Sequence, residues 1–168
     1  MGDDAAGSGG RLRKLLLKGN HDYWWTTRRK MDQFLLDGGF TSLRILHNDA
    51  VAIDNAVAVC GTRGWFYDAE ADADKRVLNR EVGRLQMSAQ AARETGLPLI
   101  AFLHSPPVFG DNVCDEMVQA LRDEGITRCY YGHIHGAGIR KAFNGTLHGI
   151  EMQLISADAL SFMPLRVF

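Results

Sequence analysis

The sequence predicts an α/β fold. Short apolar runs of strand length alternate with three stretches of helical periodicity, the pattern of a parallel-type core. Near the C-terminus the strand-like runs follow one another around an Asn-Gly pair, so the pattern turns antiparallel there. Finally, three of the apolar runs each end in a loop that carries histidine. Ligands of open α/β sheets gather outside the C-terminal strand ends.

The elements can be justified in order. Residues 1–10, "MGDDAAGSGG", are too small and polar to bury surface and read as a flexible lead-in to one domain spanning 11–168. Arg13 to Lys18 is strand-like. Thr26 to Asp37 spaces Met31, Phe34 and Leu35 as a helix does, and Gly38-Gly39 closes it. Leu43–His47, Val51–Ile53 and Val57–Cys60 read as three strands, with a turn at "IDNAV" between the last two.

Asp74 to Thr95 is the longest helical pattern. Val77, Leu78, Val82, Leu85, Ala89 and Ala92 recur every three or four residues, and Gly96-Leu97-Pro98 stops it. Leu99–Leu103 is an apolar strand. Asn112 to Asp123 reads as a helix capped by Asp111. Thr127–Tyr131 is strand-like again. Ile139–Phe143 and Thr146–His148 flank "NG" as a hairpin, and Glu151–Ile155 and Leu165–Phe168 read as closing strands.

Composition excludes several classes. Lys and Arg number 19 against 20 Asp and Glu, a net charge of −1, which leaves no basic excess for coating nucleic acid. No apolar run reaches about 20 residues, so no membrane span is expected. No signal-peptide core is present. The three cysteines, Cys60, Cys114 and Cys129, form no Cys-x-x-Cys pair, which fits a reducing, cytoplasmic setting. A Rossmann fingerprint and a P-loop are both absent. Oligomeric state is not readable.

The chemistry sits behind three strands. "LLLK" leads to Gly19-Asn20-His21-Asp22, "LIAFL" to His104-Ser105-Pro106-Pro107, and "RCYY" to Gly132-His133-Ile134-His135-Gly136. Taken singly, Asn20-His21-Asp22 is a good turn sequence and His104 a good strand-end residue. His133-x-His135 is more telling, because alternate side chains of an extended segment share a face. Four of six histidines at three strand ends are hard to attribute to packing.

These loops resemble the calcineurin-like metallophosphoesterases. The resemblance rests on "GNHD" at 19–22, His104 in "FLHSPP" and "GHIH" at 132–135, and "LLLKGNHDYWW", "CGTRGW" and "LHSPPV" are similar to a bacterial branch of that family. It implies a two-sheet α/β sandwich with flanking helices. It also implies hydrolysis of a phosphoester by metal-activated water at two divalent ions. Asn20, His104 and His133 would then bind one metal and His135 the other. His21 would assist the leaving group, and Asp22 would orient His21. Neutral imidazole plus amide oxygen suits Mn, Zn or Fe. Arg63 in "GTRGW" is a candidate phosphate contact, and Tyr23, Trp24, Trp25 and Trp65 are candidate cleft walls or core residues. His47 and His148 lie off the three loops and read as structural or exposed.

Two motifs of that family, an Asp-x-His and a metal-bridging Gly-Asp, find no counterpart before Gly19; Gly2-Asp3 has no strand ahead of it. The resemblance therefore implies a fold incomplete at its N-terminal side, with an uncovered apolar face. It implies a site that is mononuclear or of low affinity, as in a truncated form or fragment of a phosphoesterase. The alternative is a catalytically inactive metal-binding or scaffold paralogue.

Overall fold

The computed structural model describes residues 14–65 and 72–168; the expected lead-in at 1–10 lies outside them. Two strands, β1 (Lys14–Leu16) and β2 (Leu43–Ile45), form a parallel pair. The helix α1 (Arg28–Asp37) connects them, its N-terminus capped by the Thr27 side chain. The remaining long strands form one mixed sheet. β4 (Val57–Thr62), β5 (Leu99–Leu103), β8 (Arg128–Tyr131) and β10 (Ile150–Leu154) run parallel side by side. β3 (Val51–Ile53) and β9 (Gly145–Leu147) pair antiparallel at its two edges. This is the expected α/β architecture, with the expected mixed sheet and flanking helices. The β1–β2 pair itself is purely parallel.

Strand alternation decides what each face packs against. Ala58, Cys60, Ala101, Leu103, Cys129 and Tyr131 face one way and meet two helices. One is α2 (Asp72–Arg93), which buries Leu78, Leu85, Ala89 and Ala92. The other is α3 (Asp115–Asp123), which buries Met117, Val118, Ala120 and Leu121. Each large apolar side chain so buried contributes about 1.5–3 kcal/mol. Val57, Val59, Ile100, Phe102 and Tyr130 point to the opposite face. Leu15, Leu17 and Leu46 cover one end of it, and Val167 packs at the other. Between them an apolar groove of about 500 Å³ stays open among the described residues.

Four local expectations differ from the structure. The third helix starts at Asp115, not Asn112, and its cap is Cys114, not Asp111. Gly110, at φ +57°, lets β6 (Val108–Phe109) turn through Gly110-Asp111 onto β7 (Asn112–Val113), which consumes the residues a longer helix would use. The C-terminal hairpin turns at His148-Gly149, not at Asn144-Gly145. Both turn residues have positive φ and Leu147 pairs with Ile150, the geometry of a two-residue hairpin loop. The Asn144 side chain instead accepts a hydrogen bond from Leu154 N at 2.8 Å. Residues Gly136–Lys141 form a 3-10 helix where a strand from Ile139 was expected. Leu165–Phe168 forms no strand; it is tied down through Arg128 Nη1, which donates to Val167 O at 2.7 Å.

Candidate metal centre

The loops after β1, β5 and β8 bring the candidate ligands together. The loop after β1 is closed by its own backbone and side chains. Gly19 N donates to Asp22 Oδ2 at 2.6 Å, Tyr23 N to His21 O at 2.9 Å and Trp25 N to Asp22 O at 3.1 Å. Asp22 therefore closes the loop that carries Asn20 and His21. Gly19 is dictated by packing: a Cβ there would lie 3.2 Å from His104 Cε1 and 3.4 Å from Asp22 Oδ2.

This closed loop aims Asn20 at the end of β5. Asn20 Oδ1 lies 2.7 Å from His104 Nε2, and His133 Nδ1 lies 3.1 Å from the same nitrogen. The two rings meet edge to face, 4.9 Å between centroids. Burial, then the neighbouring His133, pushes His104 down to about 4, and burial also lowers His133. Both are therefore neutral at pH 7. An amide oxygen and two neutral ring nitrogens converge on one point. A single N–H on His104 cannot serve both neighbours well, whereas a cation accepts lone pairs from all three. The donor set fits a divalent metal of borderline softness.

The third loop does not have the extended form expected of it. His133 sits at φ +70°, and Ile134 N donates to Gly132 O at 2.8 Å. That is a strained γ-turn, costly for a residue with a ring. The turn brings the His133 ring to His104, and His135 still lowers His133 through its charge. His135 is held elsewhere: its Nδ1 lies 2.8 Å from Asp158 Oδ1, and Asp158 Oδ2 accepts from Gly136 N at 2.8 Å. The Gly136 and His135 contacts hold the Asp158 carboxyl down to about 2. A carboxylate on one ring nitrogen fixes the tautomer and leaves Nε2 as the donor atom. Asp158→Asn is expected to lower metal affinity by about tenfold with little change in thermal stability, readable by competition with a chromogenic chelator.

Sequence reasoning missed Asp158 because "SADAL" follows a strand with no spacing that ties it to His135. It also missed Glu81, and there the signal was present. Leu78, Glu81 and Leu85 share the apolar stripe of α2, so a carboxylate falls where burial is required. Glu81 is 2 % exposed and accepts from Thr62 Oγ1 at 2.5 Å and Arg84 Nη1 at 2.7 Å. Arg63 Nη2 lies 3.8 Å from it, and the Arg63 guanidinium stacks 4.9 Å above the Trp65 ring. Arg63 O also accepts from Ser105 N, and Thr62 O from His104 N, so this loop is fastened to the β5 end.

His21 is exposed beside the centre, edge-on to Tyr23, and its charge acts on His104 and His133. Tyr23 and Trp24 are largely exposed, so they are rim residues rather than core. His148 lies in the distant hairpin turn. Among the described residues, no group of three or more His, Cys, Asp or Glu could hold a metal; the convergent set is completed by the Asn20 amide. The three cysteines are buried, unpaired and well above the usual thiol range through burial, which leaves them inert.

A family model described as calcineurin-like phosphoesterase matches residues 6–137, through all three ligand loops. The chain belongs to the calcineurin-like phosphoesterase family. That family acts on phosphoesters with divalent metal ions. The match ends just beyond His135, so Asp158 lies outside the part of this family member that the match covers. No curated protein and no solved structure matched the chain.

Proposed function

We propose that the chain hydrolyses a phosphoester at a divalent ion held by Asn20, His104 and His133. The observation that supports this most is the approach of the Asn20 amide oxygen and the His133 ring nitrogen to within 2.7 and 3.1 Å of the His104 ring nitrogen Nε2. Mn, Zn or Fe suits that donor set. When bound, such an ion supplies Lewis acidity and lowers the pKa of a coordinated water. His135, braced by Asp158, offers a donor for a second ion.

The chain's own groups perform the rest. His21, exposed at the edge of the centre, donates a proton to the leaving oxygen. Asp22 closes the loop that carries His21 and Asn20. Arg63, stacked on Trp65, presents a planar guanidinium to the phosphate. Tyr23 and Trp24 line the rim. Nucleic acid is not the expected partner, given the net charge of −1. No helix among the described residues is long and apolar enough to cross a membrane; a reducing cytoplasmic location fits the unpaired thiols.

A second reading is favoured by the ligand set. Only one metal position has three protein donors among the described residues, which suits a partial site in an inactive binding paralogue. Metal analysis with hydrolysis of a chromogenic phosphodiester separates the two. The hydrolase reading expects at least one metal per chain, and His21→Ala should keep the metal while turnover falls about 100-fold. Less than one metal per chain and no turnover in Mn or Zn would leave the paralogue.

A further inference from the structure

A second polar cavity, of about 320 Å³, opens beside the metal centre. At about 30 Å³ per water it has room for roughly ten waters, ample for a phosphate group. Its walls come from neighbouring strand ends: Lys18 after β1, His47 after β2, Thr62 at the end of β4 and Arg63 after it. Trp25, Thr26, Thr27 and Arg28 close it with the start of α1, and Glu81 and Arg84 with α2. It shares its Thr62-Arg63 wall with the centre, because those two carbonyls hold the backbone of His104 and Ser105.

The charges in it are unequal. Four cations and one carboxylate line the cavity. Glu81 is already engaged by Thr62, Arg84 and Arg63, so it does not repel an incoming anion as a free carboxylate would. Arg28 is taken up by Asp32 and Asp49 and adds little. Lys18, Arg63 and Arg84 remain, and with one of their charges offset by Glu81 the lining keeps an excess of two positive charges. The N-terminus of α1 has no acidic residue in its first turn, so its N–H groups add partial positive charge. His47 is held neutral by burial, then by Arg84 and Arg28, and can donate a hydrogen bond.

We propose that this cavity binds a second phosphate of the substrate, so that the chain acts on phosphoesters carrying two phosphates. This rests on the hydrolytic reading above, with Arg63 between the two positions. The second phosphate could be joined to the first, as in a nucleoside 5′-diphosphate, or carried apart from it, as in a hexose 1,6-bisphosphate. Either is drawn by the same cations.

The test is steady-state kinetics of wild type, Arg84→Met and Lys18→Met. The substrates are 4-nitrophenyl phosphate, a nucleoside 5′-diphosphate and a hexose 1,6-bisphosphate. Wild type is expected to prefer one of the two-phosphate substrates by at least about tenfold in kcat/KM, and each variant should remove most of that ratio through KM. Which substrate is preferred tells linked from separated phosphates. A ratio unaffected by both variants overturns the proposal and leaves hydrolysis standing. Should no substrate turn over, calorimetry with pyrophosphate decides the cavity alone. Binding at least about tenfold weaker in both variants supports it, and no binding to wild type overturns it. Lys18→Met is the safeguard for folding, since Lys18 makes no ion pair among the described residues whereas Arg84 pairs with Glu81.

Discussion

Replacing His104 with alanine is expected to lower divalent-metal affinity by more than about 100-fold and to take phosphoester hydrolysis to background. The reasoning starts from its position between the other two donors. Asn20 Oδ1 and His133 Nδ1 each approach His104 Nε2. Without that nitrogen the remaining donors come from two separate loops with nothing at the focus. Loss of an outer partner to a ligand costs 10–100-fold in affinity, and loss of the ligand itself should exceed that. Thermal stability of the chelator-treated protein should change much less, because His104 is only half-buried and contributes no charge at pH 7. Metal content by mass spectrometry, set beside melting curves in chelator, distinguishes a lost ligand from a lost fold. Full metal content in the variant would place the centre elsewhere.

Much of this was legible in the sequence, for physical reasons that differ by element. β3 and β5 fall where Val51–Ile53 and Leu99–Leu103 predict them, because a short apolar run bounded by polar residues has few alternatives. The three ligand loops were legible because parallel strands send their ends to one edge, whatever the details of packing. The failures were all local geometry. Gly110 and the His148-Gly149 pair set turns that Asn144-Gly145 and Asp111 imitate in sequence. His133 and His135 alternate in sequence, but the positive φ at His133 breaks the alternation. Asp158 joins the centre through a contact 23 residues away along the chain, a separation no periodicity reports. Glu81 shows the opposite case: its place in the apolar stripe of α2 marks it as buried, and burial of a carboxylate requires the partners found in Thr62, Arg84 and Arg63.

Gly61→Ala should be the most damaging glycine-to-alanine change among the described residues. Gly61 pairs with Phe102 in the parallel ladder of β4 and β5, and a Cβ at Gly61 would stand 2.0 Å from the Phe102 carbonyl oxygen. That neighbour is backbone in an internal strand, held by β8 on its far side, so no rotamer change relieves the clash. The strands must part, and the cost of overpacking reaches about 3 kcal/mol where nothing can yield. For a chain of this size that corresponds to a melting temperature lower by about 6–12 °C. The damage should also reach the metal centre. Gly61 N donates to Ser88 Oγ at 2.9 Å, and Ser88 Oγ donates to Asp49 O at 2.6 Å, tying α2 and the loop after β2 to this strand. One residue later, Thr62 O accepts from His104 N. Parting β4 from β5 therefore moves His104 away from Asn20 and tilts Arg63 away from Glu81 in the polar cavity. The expected result is a lower melting temperature in chelator and, below it, a reduced metal affinity in protein that is still folded. A variant that melts like wild type would show that β4 and β5 do not pair in this register.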